Sequence, residues 1–503
     1  MTKAIKHIII YSLSILYFYN ISNAQLVISP NSSITIKNGT SLYVGTNLYI
    51  KSDADGSGHL ADQNTTGNCT ITGTKTVERY LTADGWHNTS APLNNSSTNV
   101  FTGTDLIFYY DETIILNDWN FGWIWYNGAL SVMKGYDIYL PSSITATYEA
   151  TSGESLNTGN YSISLTRTDV SNGEVENRKG WNLIGNPYPS PVDWLMESGW
   201  DKSDINDAKY IWSPVNNNYT IFLGGSTPTG INGGTQYIPS NQGFWVQSVQ
   251  NGSITIGNAS RVGVMVSTPD YYKNSTNTSQ ELRLKVSGNG YVDETMIRFI
   301  PDATYEFDAN KDASKLFSGN DSVPQIYTVT KNNFLAINSL PEITNNLGVN
   351  MNFSSNTSGN YSIYIDDLST IVPFETIYLK DIREQKIINL RTENEYRFFH
   401  KVSNNKERFI VYFNPSIDII NNIKPENYFS VSSYNNTIRI IRNTSTIYKG
   451  KVNIFNLLGQ KVATYSLTDN IMTSIDLQIP DGYYIVSVIT DEHISNSKVR
   501  ITN

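Results

Sequence analysis

Short runs in which apolar and polar residues alternate cover most of the chain, and Asn, Gly, Asp and Pro turn formers separate them. Examples are Ser33-Ile-Thr-Ile-Lys37, Ser41-Leu-Tyr-Val44 and Leu48-Tyr-Ile50. Alternation with a period of two predicts strands, and no segment has a sustained helical period. Strands this short cannot each bury a face alone. Residues 25–76 are therefore predicted to be short stacked β-strands, either as a few coils of a β-helix or, as we favour, as a small sheet stacked on the next domain.

Two later segments share three landmarks in the same order. Gly85-Trp-His-Asn-Thr-Ser-Ala-Pro92 and Gly180-Trp-Asn-Leu-Ile-Gly-Asn-Pro187 both begin with Gly-Trp and have Pro at the eighth position. An aromatic strand follows each, and then a Gly-aromatic strand: Gly135-Tyr-Asp-Ile-Tyr139 and Gly243-Phe-Trp-Val-Gln247. We predict a β-sandwich over residues 77–262 with an internal pseudo-repeat, in which Trp86 and Trp181 each anchor a core.

The strand pattern lapses from Ser267 to Gln280, a run rich in Asn, Ser and Thr that is typical of a linker. Regular strand and turn alternation resumes at Glu281-Leu-Arg-Leu-Lys-Val286. It predicts a second β-sandwich over residues 281–414. Residues 416–426 are predicted to connect this sandwich to a C-terminal domain at residues 425–503.

Residues 1–24 have the parts of a secretory signal peptide. Lys3 and Lys6 precede an apolar run from Ile8 to Tyr19, and Ser22-Asn-Ala24 supplies the small residues of a cleavage site. The apolar run is too short to span a bilayer. We therefore predict an exported protein with no transmembrane segment in the mature chain.

Composition excludes one class of partner. Only 16% of the 503 residues are charged, whereas 33 are tyrosines, and the net charge is -9 with a pI near 5.2. Since no basic run appears, nucleic acid is not an expected partner. The single cysteine, Cys69, cannot form an internal disulfide, so burial and strand pairing must stabilise the fold.

Aromatic residues are dense in the segment Trp119-Asn-Phe-Gly-Trp-Ile-Trp-Tyr-Asn-Gly128. In a strand, Trp123 and Trp125 share one face. If exposed, the two indoles form a platform that could stack on sugar rings, which makes glycans or other surface polymers candidate partners. If buried, they are core residues, and core packing is the favoured interpretation.

Oxygen-bearing side chains crowd the loop that begins at Asp302. Asp308, Asn310 and Asp312 have the Asp-x-Asn-x-Asp spacing that brings hard oxygen ligands together, as calcium prefers. Ala313 stands where an EF-hand has glycine, and its closing glutamate is also missing. An ordinary turn capped by side chains is therefore the favoured alternative. Calcium is the only cofactor that the sequence suggests.

Familiar catalytic patterns are missing. His59, His87, His400 and His493 lie far apart, and no pair has the spacing of zinc ligands. Neither a Gly-x-Ser-x-Gly elbow nor a phosphate-binding glycine motif is present. The carboxylate pair of a glycosidase has no fixed spacing in sequence, so a hydrolase stays an alternative to the favoured non-enzymatic protein.

The last strands carry the most specific pattern of the chain. They contain Asn456-Leu-Leu-Gly-Gln-Lys461, Ile475-Asp-Leu477, then Gly482 followed by Tyr484, and a basic terminal strand at Lys498. This combination resembles the type A C-terminal sorting domain of proteins that the type IX secretion system of Bacteroidota exports. The resemblance covers only this last domain. It implies where the protein is sent and carries no information on the function of the preceding domains.

That resemblance implies an Ig-like β-sandwich whose partner is the type IX secretion machinery. The Pro-Asn-Pro element that often opens such domains is absent, and Asn414-Pro415 lies earlier than it would. The residues that match the sorting motif are Gly459, Gln460, Lys461, Asp476, Gly482, Tyr484 and Lys498.

Together, these features predict an all-β, multidomain protein made of β-sandwich or jelly-roll-like domains. Its expected location is the outer-membrane surface or the medium, reached through a Sec signal peptide and type IX export. Its expected role is non-enzymatic, either adhesin-like or structural. A glycan-binding module and an extracellular hydrolase with an unrecognised carboxylate pair are the alternatives.

Overall fold

The computed structural model describes residues 7–8, 25–114, 122–151, 154–168, 179–264, 280–331, 333–365, 368, 376–416, 428–442, 449–468, 470–491 and 494–502. The predicted signal peptide, apart from the backbone of residues 7–8, lies outside the described residues. So do the predicted linker up to residue 279 and the predicted start of the C-terminal domain. The chain divides into two compact units, Met1–Pro415 and Ser416–Asn503, which we call the cargo unit and the terminal unit.

Short strands, most of them paired in parallel, stack as coils at the start of the cargo unit. They are β1 His7–Ile8, β2 Leu26–Ile28, β3 Ser33–Ile36, β4 Leu42–Val44, β5 Leu48–Ile50, β6 Ser52–Asp53, β7 Gly56–Ser57, β8 His59–Asp62, β9 Cys69–Ile71 and β10 Lys75–Leu81. β2, β5 and β10 pair in parallel, as do β1, β3 and β8, and also β4 and β9. Parallel pairing between strands so near in sequence is the geometry of a β-helix. The strands therefore pair as coils of a β-helix, the alternative to the small stacked sheet that we favoured.

The next strands of the cargo unit include those of two related sheets. They are β11 Gly85–Thr89, β12 Ile107–Tyr110, β13 Trp123–Trp125, β14 Tyr136–Leu140, β15 Ile144–Ala150, β16 Tyr161–Leu165, β17 Trp181–Gly185, β18 Val192–Asp193, β19 Trp200–Asp201, β20 Ile205–Ser213, β21 Asn218–Leu223, β22 Thr229–Ile231, β23 Tyr237–Ile238, β24 Gly243–Ser248 and β25 Gly252–Ile256. Single 3₁₀ turns lie at Thr98–Val100, Glu112–Ile114, Glu197–Gly199 and Asn258–Ser260.

We call residues 85–140 repeat 1 and residues 180–248 repeat 2. The repeat 1 sheet has the order β11-β14-β12-β13, and the repeat 2 sheet has the matching order β17-β24-β20-β21, extended by β22. The register also matches. Trp86 pairs with Tyr139, and Trp181 pairs with Gln247. Tyr139 and Gln247 occupy the same position in sequence relative to the glycine that opens their Gly-aromatic strands.

The two sheets meet through reciprocal contacts. An isolated bridge joins Thr89 to Gln242, and its counterpart joins Ile184 to Lys134. Two backbone hydrogen bonds are reciprocal in the same way. The N–H of Ser90 in repeat 1 donates to the carbonyl of Asn241 in repeat 2 at 2.9 Å, and the N–H of Gly185 in repeat 2 donates to the carbonyl of Met133 in repeat 1 at 2.8 Å. Contacts that exchange the two repeats in this way define a pseudo-twofold axis between them.

The glycine that opens each Gly-aromatic strand is required by this close approach. A Cβ atom on Gly135 would lie 2.7 Å from the carbonyl oxygen of Ile184. One on Gly243 would lie 2.8 Å from the backbone nitrogen of Thr89. Because backbone atoms cannot give way as a flexible side chain can, any larger residue here would push the two sheets apart.

The remainder of the cargo unit is one large sheet. Its strands are β26 Gln280–Gly288, β27 Tyr291–Phe299, β28 Ala313–Ser314, β29 Gln325–Thr330, β30 Asn333–Leu340, β31 Leu347–Ser354, β32 Gly359–Tyr364, β33 Ile377–Asp381, β34 Lys386–Asn389, β35 Glu395–His400 and β36 Glu407–Phe413. The order is β34-β33-β36-β31-β29-β30-β27-β26-β32-β35, with β28 beside β30. The ring of Phe409 in β36 packs 5.2 Å from that of Phe398 in the edge strand β35, so the sheet curls around its own core.

The terminal unit is a seven-stranded β-sandwich. Its strands are β37 Phe429–Tyr434, β38 Thr437–Arg442, β39 Gly450–Asn456, β40 Lys461–Ser466, β41 Met472–Asp476, β42 Gly482–Thr490 and β43 Ile494–Ile501. They form sheets β37-β38-β41 and β40-β39-β42-β43, with Ile440 and Val486 in the core between them. The prediction of an all-β, multidomain fold is confirmed. In the part of the chain that the structure describes, no helix is long and apolar enough to cross a membrane.

Candidate functional site: an aromatic cleft on repeat 1

The repeat 1 sheet has two faces of different character. Ile138 lies on the face that packs into the core shared with the N-terminal coils. On the opposite face, Trp86 lies beside Tyr139, and Phe108 lies beside Asp137. All four of these side chains are partly exposed, so this face presents aromatic rings and one carboxyl group to solvent.

A cavity of about 490 Å³ lies on this face, and we call it the aromatic cleft. Five rings from both repeats line it: Trp86, Phe108 and Trp123 from repeat 1, and Trp212 and Tyr219 from repeat 2. The indole N–H of Trp212 is shielded from solvent and has no hydrogen-bond partner among the described residues. At the rim, the hydroxyl of Ser318 donates to the carbonyl of Asn217 at 2.6 Å, which joins the loop at Gly319 and Asn320 to repeat 2.

Asn88 and Asp137 form the polar part of the cleft. Asn88 Nδ2 donates to Asp137 Oδ1 at 2.8 Å, and Trp245 Nε1 donates to Asn88 Oδ1 at 3.2 Å. The second bond fixes which end of the amide faces the carboxyl. No hydrogen bond within the described residues engages Asp137 Oδ2. Burial raises the pKa of Asp137 well above its ordinary value, and the bond from Asn88 opposes that rise only in part.

The corresponding face of repeat 2 is covered at Trp181 and Trp245, while Trp212 and Tyr219 on the same face line the cleft. The shared register places Leu183 where repeat 1 has Asn88, and Trp245 where it has Asp137. Trp181 is 1% exposed and Trp245 is fully buried, and both belong to one cluster with Met296 and other residues of the large sheet. Trp181 therefore anchors a core as predicted. The same prediction was wrong for Trp86, because its ring is partly exposed and lines a cleft.

Trp123 and Trp125, the predicted glycan platform, differ in surroundings. The ring of Trp123 packs against Tyr110 and Trp245 at 5.3 and 5.5 Å and lines the aromatic cleft. Trp125 is 57% exposed, lines a separate cavity, and donates its indole N–H to the carbonyl of Asp105 at 2.8 Å. The two indoles therefore contribute to different cavities.

The predicted calcium residues form a compact turn. Asp312 is fully buried and accepts the backbone N–H of Asp308 at 2.7 Å and that of Ser339 at 2.6 Å. Asp308 accepts the N–H of Thr304 at 2.6 Å, and Asn310 is exposed. Burial raises the pKa of Asp312 to about 7. Within the described residues, no three His, Cys, Asp or Glu side chains group as metal ligands, and calcium at this turn stays a prediction.

In the terminal unit, three of the predicted sorting residues lie at one hairpin. The side-chain oxygen of Asn456 accepts the N–H groups of Leu458 and Gln460, both at 3.0 Å. Gly459 has a φ of 80°, a left-handed conformation that suits glycine. Lys461 follows at the exposed start of β40. The hairpin therefore presents Leu458, which is 86% exposed, and Lys461 to solvent.

The other sorting residues lie on neighbouring strands. Asp476 accepts the hydroxyl of Thr437 at 2.7 Å, and Gly482 opens β42. Tyr484 is 7% exposed and donates its hydroxyl to the carbonyl of Pro480 at 2.8 Å. The Lys498 ammonium lies 4.5 Å from the ring centre of Tyr483. Tyr484 is thus a core residue, whereas Asp476 is exposed.

The described histidines and the cysteine have structural surroundings. The ring Nε2 of His87 lies 2.9 Å from the carbonyl of Thr82, and burial lowers the pKa of His87. His400 Nε2 lies 3.0 Å from the carbonyl of Ser355, and burial likewise lowers its pKa. Burial also lowers the pKa of His59 to about 4 and raises that of Cys69 to about 12. His493 lies outside the described residues.

Sequence reasoning missed most of the cleft, including Asn88, Asp137, Trp212 and Tyr219. A usable signal was present in the repeat alignment. Asn88 stands where the second copy has Leu183, and Asp137 stands where it has Trp245. A polar residue that replaces a large apolar one at an equivalent strand position indicates that the two faces differ in burial.

Comparison with known proteins shows the family of this chain and a weak structural similarity. Among curated proteins, no sequence matches this chain. A solved structure titled "Biofilm associated protein - BSP domain" is 8% identical, with a TM-score of 0.17 over 69% of this chain and 81% of that one. A TM-score this low does not establish a shared fold. The family model described as "Domain of unknown function (DUF8693)" matches residues 5–413, which are most of the sequence. The chain therefore belongs to the DUF8693 family.

Proposed function

We propose that this chain is a secreted, cell-surface-directed and non-enzymatic protein, which the type IX secretion system exports through its terminal unit. The observation that carries the proposal is the separateness of that unit. Residues 416–503 form a compact unit with its own core, outside the stretch that the family model matches. A domain of this kind can act as an address that is independent of the cargo.

The exposed hairpin at Gly459–Lys461 supports the same proposal. A secretion apparatus must recognise a folded or folding domain by groups that reach solvent, and Leu458 and Lys461 do so. Asp476 is a further exposed member of the motif. Tyr484, by contrast, belongs to the core, and its role in the motif is to hold the sandwich together.

The non-enzymatic part of the proposal rests on the state of the nucleophile and base candidates. Burial favours the neutral thiol of Cys69, and a thiol is a poor nucleophile. Burial also lowers the pKa of His59, His87 and His400, so each imidazole is a weaker base than one in water. These groups therefore fit structural roles, and an adhesive role needs only a binding surface.

The export proposal is tested with a reporter protein that carries residues 1–24 at its N-terminus and residues 416–503 at its C-terminus. We expect the reporter to reach the surface or medium of a strain with a working type IX system and to stay in the periplasm of a strain without it. Replacing Lys461 and Lys498 by Ala should reduce surface delivery. Lys451→Ala, at an exposed position outside the motif, is the matched control.

Equal surface levels of the reporter with and without residues 416–503 would contradict the proposal. The complementary experiment removes these residues from the whole chain. Since the cargo unit has its own cores, it should remain folded and accumulate in the periplasm. Surface delivery of the truncated chain would show that the address lies elsewhere.

A further inference from the structure

We propose that the aromatic cleft binds a neutral sugar ring, which stacks on the rings of the cleft while Asn88 and Asp137 hydrogen-bond its hydroxyl groups. This inference goes beyond the proposed export, because it concerns the cargo unit alone. It also differs from a platform of Trp123 and Trp125, since those indoles line different cavities.

The first argument is the partial exposure of the rings. Trp86 packs 5.9 Å from Phe108 and 5.4 Å from Tyr139, with tilted planes, so these rings form a continuous wall. Their equivalents in repeat 2 are covered by the large sheet, whereas this wall is open. Partly exposed aromatic rings that line a concave surface leave unused contact area, and a flat ligand with C–H groups on its face can fill it.

The second argument is the pairing of a carboxyl with an amide at the base of the wall. Asp137 Oδ2 has no hydrogen bond within the described residues, and Asn88 is held in one orientation by Trp245. A carboxyl and a fixed amide together offer both donors and acceptors. Hydroxyl groups on neighbouring carbons of a sugar both donate and accept, so they match this pair.

The third argument is charge. Among the described residues, neither Lys nor Arg lines the cleft, so an anionic ligand would find no counter-ion in this lining. Burial favours the uncharged carboxylic acid at Asp137, as its raised pKa shows, which favours a neutral ligand over a cation. The rim adds the uncharged amides Asn217 and Asn320.

Size gives the last constraint. A cavity of about 490 Å³ falls at the lower end of the roughly 300–1,000 Å³ that is usual for small-molecule pockets. It therefore suits a short saccharide, such as a monosaccharide or disaccharide end of a longer glycan. The rim at Gly319 is exposed and leaves the rest of a chain free to extend into solvent.

The test measures binding of maltose, cellobiose, chitobiose and mannobiose to the full mature chain by isothermal titration calorimetry and by tryptophan fluorescence. We expect at least one of them to bind and to change the fluorescence. Trp86→Ala and Asp137→Leu should each weaken that binding by roughly tenfold or more, since each removes one of the two kinds of contact. Trp125→Ala, outside the cleft, should bind as the wild type does.

Each variant is first compared with the wild type in thermal unfolding, and Asp137→Asn serves as the milder second variant. Binding that is weakened in folded Asp137→Asn and Trp86→Ala protein supports the proposal. Three results would overturn it: no binding by any of the four disaccharides, binding that Trp86→Ala and Asp137→Asn leave unchanged, or tight binding of tetramethylammonium in place of the sugars. Export of the reporter is measured separately, so the failure of one proposal does not bear on the other.

Discussion

Repeat 1 and repeat 2 have the same strand order and register, yet Trp86 of repeat 1 lines an open cleft and its equivalent in repeat 2, Trp181, is buried. In repeat 2, Leu183 and Trp245 belong to one apolar cluster with Met296 and Ile337 of the large sheet. In repeat 1, the equivalent positions hold Asn88 and Asp137.

The difference shows that one strand arrangement can give a core in one copy and a cleft in the other, and the copy with the cleft has polar residues at two of the equivalent positions. An apolar face must be covered, and the large sheet covers that of repeat 2. A face with a carboxyl and an amide cannot be covered without a cost in desolvation, so it stays accessible. Duplication of one sheet thus allows one copy to stabilise the unit while the other is available for binding.

The largest expected effect comes from removing the equivalent tryptophans. Trp181→Ala should lower the free energy of unfolding of the cargo unit by about 3–5 kcal/mol, because it leaves a large cavity in a closed core. Trp86→Ala should lower it by less than about 1 kcal/mol, since that ring is partly exposed. All nine tryptophans lie in the cargo unit, so urea unfolding followed by tryptophan fluorescence reports on it. Equal losses would erase the distinction between the repeats.

A smaller effect on stability is expected at Phe108 and Tyr210, which the register places at equivalent positions of the two repeats. The buried hydroxyl of Tyr210 donates to the carbonyl of Ser314 at 2.9 Å. Tyr210→Phe should cost about 1 kcal/mol in the free energy of unfolding, because a buried carbonyl loses its partner. Phe108→Tyr, on the open face, should change stability by less than half of that. A neutral Tyr210→Phe would mean that the large sheet holds repeat 2 by apolar contact alone.

The pH dependence of stability should differ between the polar and the apolar face. The pKa of Asp137 is raised in the folded state, so between its unfolded value near 3.9 and its folded value the native protein holds the extra proton. Its contribution to stability is therefore fully present at low pH and is lost as pH rises. Because Asp137 is partly exposed, this loss is modest.

Asp137→Asn should reduce the fall in unfolding free energy that occurs as the pH rises above about 4. Asp312, whose pKa burial raises to about 7, is a reference group whose contribution to stability is also lost as the pH rises. Asp312→Asn should therefore reduce the fall in unfolding free energy up to about pH 7. Urea unfolding across this pH range is the measurement. A steeper fall in Asp137→Asn would mean that the carboxyl is stabilised in its charged form.

The smallest effect is expected from calcium. The loop at Asp308–Asp312 packs on repeat 2, where the N–H of Asp207 donates to the carbonyl of Ala309 at 3.2 Å. Its carboxylates already accept backbone N–H groups, so millimolar calcium or a chelator should leave the melting temperature unchanged. A rise with calcium that Asn310→Ala abolishes would restore the calcium interpretation.

Alternating sequence was sufficient to predict the all-β fold, because strand period and turn residues are local properties. The reciprocal bridges at Thr89 and Lys134 could not be predicted from this alternation, since they depend on how two sheets meet. The curl of the large sheet around Phe398 and Phe409 was also hidden, because those residues are far from most of their core partners in sequence.

The candidate site was less accessible to sequence reasoning. Trp86 and Trp181 share a motif, and only Met296 and Ile337, more than a hundred residues beyond Trp181, decide which of them is covered. Asp137 lies in a strand of otherwise apolar or aromatic residues, and its neighbours Asn88 and Tyr219 come from other strands. Patterns along one strand cannot show which side chains converge across several strands.

The reciprocal bridges also determine when the cargo unit can fold during synthesis. Thr89 can form its bridge only after Gln242 has been synthesised, and the aromatic face of repeat 2 can be buried only after Ile337 has been synthesised. The first repeat therefore cannot be completed until most of the cargo unit has been made. A shortened gene that stops after residue 264 would leave Trp181 and Tyr210 without the large-sheet residues of their core cluster. Such a fragment should aggregate, so the two repeats expressed without the large sheet are not a route to the isolated cleft.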